Sequence, residues 1–248
     1  MITQPFAGAG YLLKGFGLIN APGVRRWVVI PLAINVVLFA ALFYVAYDQF
    51  GRLVDWLMSY LPEWAQEWLA WLLWPLFFIA AVVIIFFTFT VAANLVGAPF
   101  NGFLAAAVER HLTGRAPAGS GRGLAAEIWH AVKGELRKLL YFAGWALVLL
   151  VLSLVPVVNF VAPVLWALFG AWMLALEYLD YPLGNHGHAF PQVRAAARRR
   201  RLAALGFGAA ATVATLVPLV NFIVMPVAVA GATAFYLREL AGTDAPAA

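Results

Sequence analysis

Residues 154–160 read Leu-Val-Pro-Val-Val-Asn-Phe, and residues 216–222 read Leu-Val-Pro-Leu-Val-Asn-Phe. Each copy interrupts a long apolar run, Leu139 to Tyr178 or Leu202 to Leu237, and each is followed by another proline, Pro163 or Pro226. Proline lacks an N–H and crowds the preceding turn, so it breaks helices. A repeated break inside two apolar runs predicts two equivalent helical hairpins, at 139–179 and 202–237, with Pro and Asn forming each tip. A tip that emerged into water would carry charged or strongly polar residues, and both tips are almost wholly apolar. The arms before them are short for a full crossing. Both hairpins are therefore expected to enter the bilayer partway and return, with their tips buried in protein, where backbone groups find partners. Full crossing by both, giving six transmembrane helices, is the alternative.

Two other runs, at 27–47 and 69–96, are long enough to cross a hydrocarbon core of about 30 Å, which takes roughly 20 apolar residues in a helix. The second exceeds that length and holds Pro75 near one end, which predicts a tilt, a kink or a projection beyond the bilayer. Trp64, Trp68, Trp71 and Trp74 gather at that end, the pattern of side chains at the headgroup level. The composition agrees: 65% of the 248 residues are hydrophobic and 11% are charged, against about a quarter charged in ordinary soluble domains. No polar stretch is long enough for a separate soluble domain. The fold expected is thus all-α and integral to the membrane, a single domain over 1–248 with two long transmembrane helices, two partly penetrating hairpins and amphipathic helices at the cytoplasmic face.

Those amphipathic stretches are Phe6, Leu12, Leu13, Phe16 and Ile19, which approximate one helical face weakened by glycines, and Leu124, Ile128, Val132, Leu136 and Leu139. Charge gives the orientation. If the N-terminus, segments 97–138 and 180–201 and the C-terminus share a side, that side holds every Lys and Arg except Arg52. The loop 48–68 holds Asp48, Asp55, Glu63 and Glu67. By the positive-inside rule the basic side is cytoplasmic. The net charge of +5 thus reflects topology, and nucleic acid is not an expected partner. Cysteine is absent, which excludes disulfides and thiolate chemistry. The first positive side chain is Lys14, with Pro22 and Gly23 soon after, so a cleaved signal peptide is not expected.

Pro22-Gly23-Val24-Arg25-Arg26 sits where the first spanning helix begins. Glycine permits close backbone approach, first-turn N–H groups lack intrahelical partners, and the helix dipole adds positive potential. Two guanidinium forks suit a tetrahedral oxyanion. Gly23, Val24, Arg25 and Arg26 therefore form a candidate anion site. The local alternative is that both arginines are ordinary anchors on lipid phosphates.

Asn35 lies inside the first span and Asn94 near the inner end of the second, where polar groups pair with each other or line a hydrated path. Gly97 to Gly102, which includes Asn101, reads as a chain break, and Glu109 and Arg110 follow on the next helical segment. Asn35, Asn94, Asn101, Glu109 and Arg110 are the candidates for a permeation path. Asp180, His186 and His188 share a glycine-rich loop without a third firm ligand, and no metal or cofactor is expected. Arg198 to Arg201 is a basic run suited to anionic headgroups. No Walker A loop, dinucleotide fingerprint, nucleophile elbow or HExxH pattern occurs, so the chain does not read as an enzyme. Apart from Glu177 at a hairpin's inner end, the apolar spans carry no acidic residue for a proton relay. Passive or gradient-driven anion movement fits better than pumping.

In sum of order and spacing the chain resembles the CysZ family of bacterial inner-membrane proteins, which serve sulfate uptake for cysteine synthesis. The likeness rests on Tyr11-Leu12-Leu13-Lys14-Gly15, Pro22 to Arg26 leading into Ile30-Pro31-Leu32-Ala33-Ile34-Asn35, Asn94 with Pro99-Phe100-Asn101, and Glu135-Leu136-Arg137-Lys138. The two hairpin tips, Glu177 to Pro182 and Asn185-His186 complete it. The resemblance implies partly penetrating hairpins, homo-oligomers in the bilayer, and sulfate bound at a Gly-Leu-Arg motif, here Gly23-Val24-Arg25 with Arg26 adjacent. Valine at the centre keeps the backbone N–H. A non-transporting scaffold or lipid-binding helper of a separate transporter is the alternative function.

Overall fold

The computed structural model describes residues 3–117, 119 and 124–241, and within the helices it leaves aside the side chains at 67, 82, 84–99, 124–128, 130 and 131. Every regular element among the described residues is helical: α1 Thr3–Leu18, α2 Arg26–Met58, α3 Glu63–Thr113, α4 Leu124–Ser153, α5 Pro156–Asn159, α6 Ala162–Asn185, α7 Phe190–Arg199, α8 Arg201–Thr215 and α9 Pro218–Phe235, closed by a π-helical turn Tyr236–Leu240. Arg26–Met58, Val132–Ser153, Ala162–Asn185 and Pro218–Leu240 are each long and apolar enough to cross a membrane. Large apolar side chains face outward along them, including Val37 on α2 and Leu140 on α4. A surface of this kind is stable in lipid and costly in water. The chain is an all-α, multi-pass membrane protein.

The chain forms two compact units, Met1–Val28 with Asn101–Ala248, and Val29–Phe100. The second unit is built on α2 and the first part of α3. Its packing is aromatic: Phe50 stacks on Phe77 at 4.3 Å between ring centroids, and Tyr47 and Phe50 both meet Trp74, at 5.1 and 5.3 Å. These rings lie at the end of the pair where Trp64, Trp68 and Trp71 stand outward. The expected chain break at 97–102 does not occur, because α3 continues to Thr113. Proline removes one hydrogen bond from a helix without ending it when its neighbours are satisfied. The stretch is nevertheless a boundary, since the two compact units divide between Phe100 and Asn101.

In the first unit α1 packs into α8 and α9, and α6 packs against α8 and α9. Glycine makes that packing possible. A Cβ at Gly8 would collide with the carbonyl of Ala203, one at Gly206 with that of Pro5, one at Gly15 with that of Val227, and one at Gly208 with that of Ala171. Helices brought this close gain van der Waals contact that larger side chains forbid. Two of the glycines read as weakening α1, Gly8 and Gly15, form its docking face. The apolar face expected from Phe6, Leu12, Leu13, Phe16 and Ile19 is split accordingly: Leu12 and Ile19 are buried, while Phe6 and Leu13 stand outward.

The hairpin tips differ from expectation in one respect. The helices break at the repeat, but the tips are not buried in the protomer: Phe160 is 90% exposed and Leu219 83%. Their backbone groups are met locally. The N–H groups of Leu154, Val155, Asn159 and Val161 reach Val151, Leu152, Val155 and Val158, and those of Leu216, Val217 and Asn221 reach Val213, Ala214 and Val217. Self-satisfied turns need no surrounding protein to survive in an apolar medium.

Candidate anion-binding site

The turn between α1 and α2 is fixed by its buried residues and presents its charged ones. Gly23 adopts φ +81°, a left-handed conformation that glycine reaches without strain. Val24 is fully buried in the core of the first unit. Trp27 stacks near Phe103 at 5.0 Å, which ties the start of α2 to the end of α3. Arg25 and Arg26 are exposed, Arg26 lying over the Trp27 ring at 5.1 Å. Neither guanidinium has a carboxylate partner among the described residues. The carbonyl of Ala21 accepts from both Val24 N–H and Arg25 N–H, at 3.1 and 3.2 Å. Those two N–H groups are engaged by the turn itself, so the donors that face an incoming anion are chiefly the two guanidinium groups.

Of the candidate path residues, Asn35 is buried, and its Oδ1 is the one buried side-chain oxygen or nitrogen among the described residues that lacks a hydrogen-bond partner. The side chain of Asn94 lies outside the described residues. Asn101 is buried; its Nδ2 donates to the hydroxyl of Tyr181 and to Sδ of Met225, each at 3.2 Å. About two turns further along α3, Glu109 is also buried, and both its oxygens lie 3.0 Å from Nε2 of His186. Asn185 beside it donates to the carbonyl of Gly102 at 2.8 Å. Arg110 points the other way and is exposed, so Glu109 and Arg110 do not act as a pair. What α3 and α6 bring together is a polar line, Asn101, Tyr181, Asn185, His186 and Glu109, within an otherwise apolar core.

The stretch 180–188, expected as a loop, is helical as far as Asn185, and it is divided between two tasks: His186 serves Glu109, while Asp180 turns to Lys138. No cluster of three or more metal-ligating side chains forms among the described residues. Lys138 was not singled out as a functional side chain by its sequence, yet it is buried and held by Glu177 at 2.8 Å, Glu135 at 2.9 Å and Asp180 at 3.3 Å. The signal was present in the spacing, since Glu135 and Lys138 on α4, and Glu177 and Asp180 on α6, each stand three apart and so share a helical face. Tyr11 on α1 donates to Glu239 at 2.9 Å; burial and this hydrogen bond push its phenol up to about 12.

Comparison with known proteins places the chain. A family model described as Sulfate transporter CysZ/Etoposide-induced protein 2.4 matches residues 11–226. The chain belongs to this family. It is 49% identical over 235 residues to a protein of Pseudomonas paraeruginosa named Sulfate transporter CysZ, covering 94% of this chain and 95% of the relative. Proteins of the same name from Pseudomonas syringae pv. tomato and Salmonella paratyphi A are 43% identical over 247 residues and 41% over 237. These cover 99% and 95% of this chain, and 97% and 93% of the respective relatives. Both the turn at Gly23–Arg26 and the polar line from Asn101 to Glu109 fall inside the matched region.

Proposed function

We propose that this chain is a sulfate permease of the bacterial inner membrane that supplies sulfate for cysteine synthesis by channel-like or gradient-driven movement. The observation that carries the reading is the near full-length likeness to proteins named sulfate transporters, with 41–49% identity. The geometry agrees with it. Arg25 and Arg26 stand outward beside a rigid turn, and a dianion there meets two forked donors without a competing carboxylate among the described residues. Exposure keeps such a site weak enough to release its ion, as conduction requires.

On this reading the basic segments face the cytoplasm, where the positive-inside rule puts them. Sulfate passes near Asn35 and the Asn101–Glu109 line, and the hairpins enter the bilayer partway. Exposed apolar tips favour that depth, because the charge-free stretches around Phe160 and Leu219 are stable in lipid or against another protomer. Few full spans per chain then favour a homo-oligomer.

The test pairs a variant with a reconstitution. Arg25→Ala with Arg26→Ala should abolish radiolabelled sulfate uptake at unchanged membrane abundance; normal uptake would remove this turn from the mechanism. In sealed liposomes, sulfate flux by the purified chain alone supports a permease, whereas flux only with an added transporter supports a helper.

A further inference from the structure

The repeat extends beyond the tips. Lys138 stands eighteen residues before Pro156, and Arg200 eighteen before Pro218; Glu177 stands twenty-one after Pro156, and Glu239 twenty-one after Pro218. Both cation–glutamate couples are in contact. Nζ of Lys138 lies 2.8 Å from Glu177, and Nε of Arg200 lies 3.5 Å from Glu239. The first joins α4 to α6, and the second joins the α7–α8 junction, where the outgoing arm begins, to the turn Tyr236–Leu240 that ends the returning one. Between Lys138 and Glu177, and between Arg201 and Arg238, the sequence holds no Asp, Glu, Lys or Arg. The pairs therefore mark where each hairpin leaves the charged boundary and enters apolar surroundings.

We propose that Lys138–Glu177 and Arg200–Glu239 are equivalent clasps of a duplicated hairpin, positioning residues that hold both tips at one depth in the bilayer. Charged groups are costly in hydrocarbon and stay at its edge, so each pair fixes its end of the hairpin there. Eighteen residues at about 1.5 Å each give an outgoing arm of about 27 Å, under the roughly 30 Å of the hydrocarbon core, and the returning arm of twenty-one, about 32 Å, reaches the same tip by tilting. Equal arms from equal anchors end at equal depth. This rests on the membrane placement proposed above, and it adds what sets that placement.

The copies have diverged in strength. Lys138 is 4% exposed among three carboxylates, whereas Arg200 is half exposed and shares Glu239 with Tyr11. Buried charge pairs tolerate the loss of a partner poorly and exposed ones lose little. The first clasp is the firmer.

The chain has no cysteine, so single spin labels can be placed at Val157→Cys and Leu219→Cys. Their depth in liposomes is read from oxygen against a water-soluble nickel relaxant. In the parent both labels should report the same apolar depth. Lys138→Ala should shift the label at 157 by about one turn, roughly 5 Å, and leave that at 219 in place. Arg200→Ala should move only the label at 219, and by less. Lys138→Arg and the exchange Arg200→Glu with Glu239→Arg should restore the parent depths. Unequal parent depths, unmoved labels, or failure of both restoring variants would overturn the proposal. If an alanine variant does not fold, Glu239→Gln, which keeps an acceptor for Tyr11, takes its place, and an unmoved label at 219 then counts against the clasp. Sulfate flux in the same liposomes is a separate readout: a parent without flux defeats the permease reading while the depth comparison stands.

Discussion

Both carboxylate oxygens of Glu109 lie 3.0 Å from Nε2 of His186, so one imidazole nitrogen serves an entire buried carboxylate. The pair fastens the end of α3 to the end of α6, where Tyr236 also stacks near His186 at 5.2 Å. Removing one member of a buried hydrogen-bonded pair leaves the other unsatisfied and costs about 1–3 kcal/mol, whereas removing both costs less. His186→Ala should therefore lower the melting temperature of the detergent-solubilised protein more than His186→Ala with Glu109→Gln does. Losses that simply add, the double variant losing the sum of the two single ones, would mean that the two groups are not coupled.

Glycines on α1 supply an internal control. Gly8 and Gly15 abut backbone on α8 and α9, whereas Gly10 and Gly17 have nothing within 4 Å of an added Cβ. Gly8→Ala and Gly15→Ala should each destabilise, by about 1–3 kcal/mol for overpacking, and expose α1 to protease. Gly10→Ala and Gly17→Ala should stabilise by about 0.5–1 kcal/mol through helix propensity. Thermal unfolding of the four variants separates the two faces, and a uniform response would contradict the docking described.

These glycines also show what a sequence withholds. Helical periodicity is carried by side chains, so a face made of glycine, Tyr11 and Leu12 gives a weak apolar signal even where contact is tightest. The repeat at Pro156 and Pro218 was legible because proline acts locally on its own chain, and the turn before α2 because glycine and proline punctuate any fold. Lys138 and His186 were legible only in part. The spacing that sets Lys138 beside Glu135 is local, but Glu177 stands 39 residues from Lys138 and Glu109 77 from His186, and only packing brings those near. Glu109 and Arg110 part for a simpler reason: adjacent helical residues point about 100° apart, so one can be buried while its neighbour is not.

Gly23 offers a test of the turn apart from its charges. Its φ of +81° is costly for a residue with a Cβ, about 1–2 kcal/mol, although no atom would obstruct one. Gly23→Asn, which tolerates left-handed backbone, should keep sulfate uptake nearer the parent than Gly23→Val does. Since both arginines remain, a loss confined to Gly23→Val would tie uptake to their placement. Equal uptake by both variants would show that the backbone there is unconstrained.

Tyr11 gives an alkaline signature. Its phenol is pushed up to about 12 by burial and by the bond to Glu239, above the ordinary value near 10. The folded chain thus favours the neutral form. The corresponding stability is fully present below pH 10 and is lost as pH rises toward 12. Melting temperature should fall over that window in the parent and fall less in Tyr11→Phe, which should also be less stable at neutral pH.

Asn35 distinguishes a structural role from a transport role. A buried amide oxygen without a partner costs about 1–3 kcal/mol, and a leucine of similar size removes that cost. If the residue only packed helices, Asn35→Leu would leave uptake unchanged. On the proposed path, the variant should melt at the parent temperature or above it while sulfate flux into liposomes falls by about tenfold, the equivalent of one lost hydrogen bond in the barrier. Asn35→Gln, which keeps the amide, should recover part of that flux. A variant that melts lower and conducts normally would assign Asn35 to packing and move the path elsewhere.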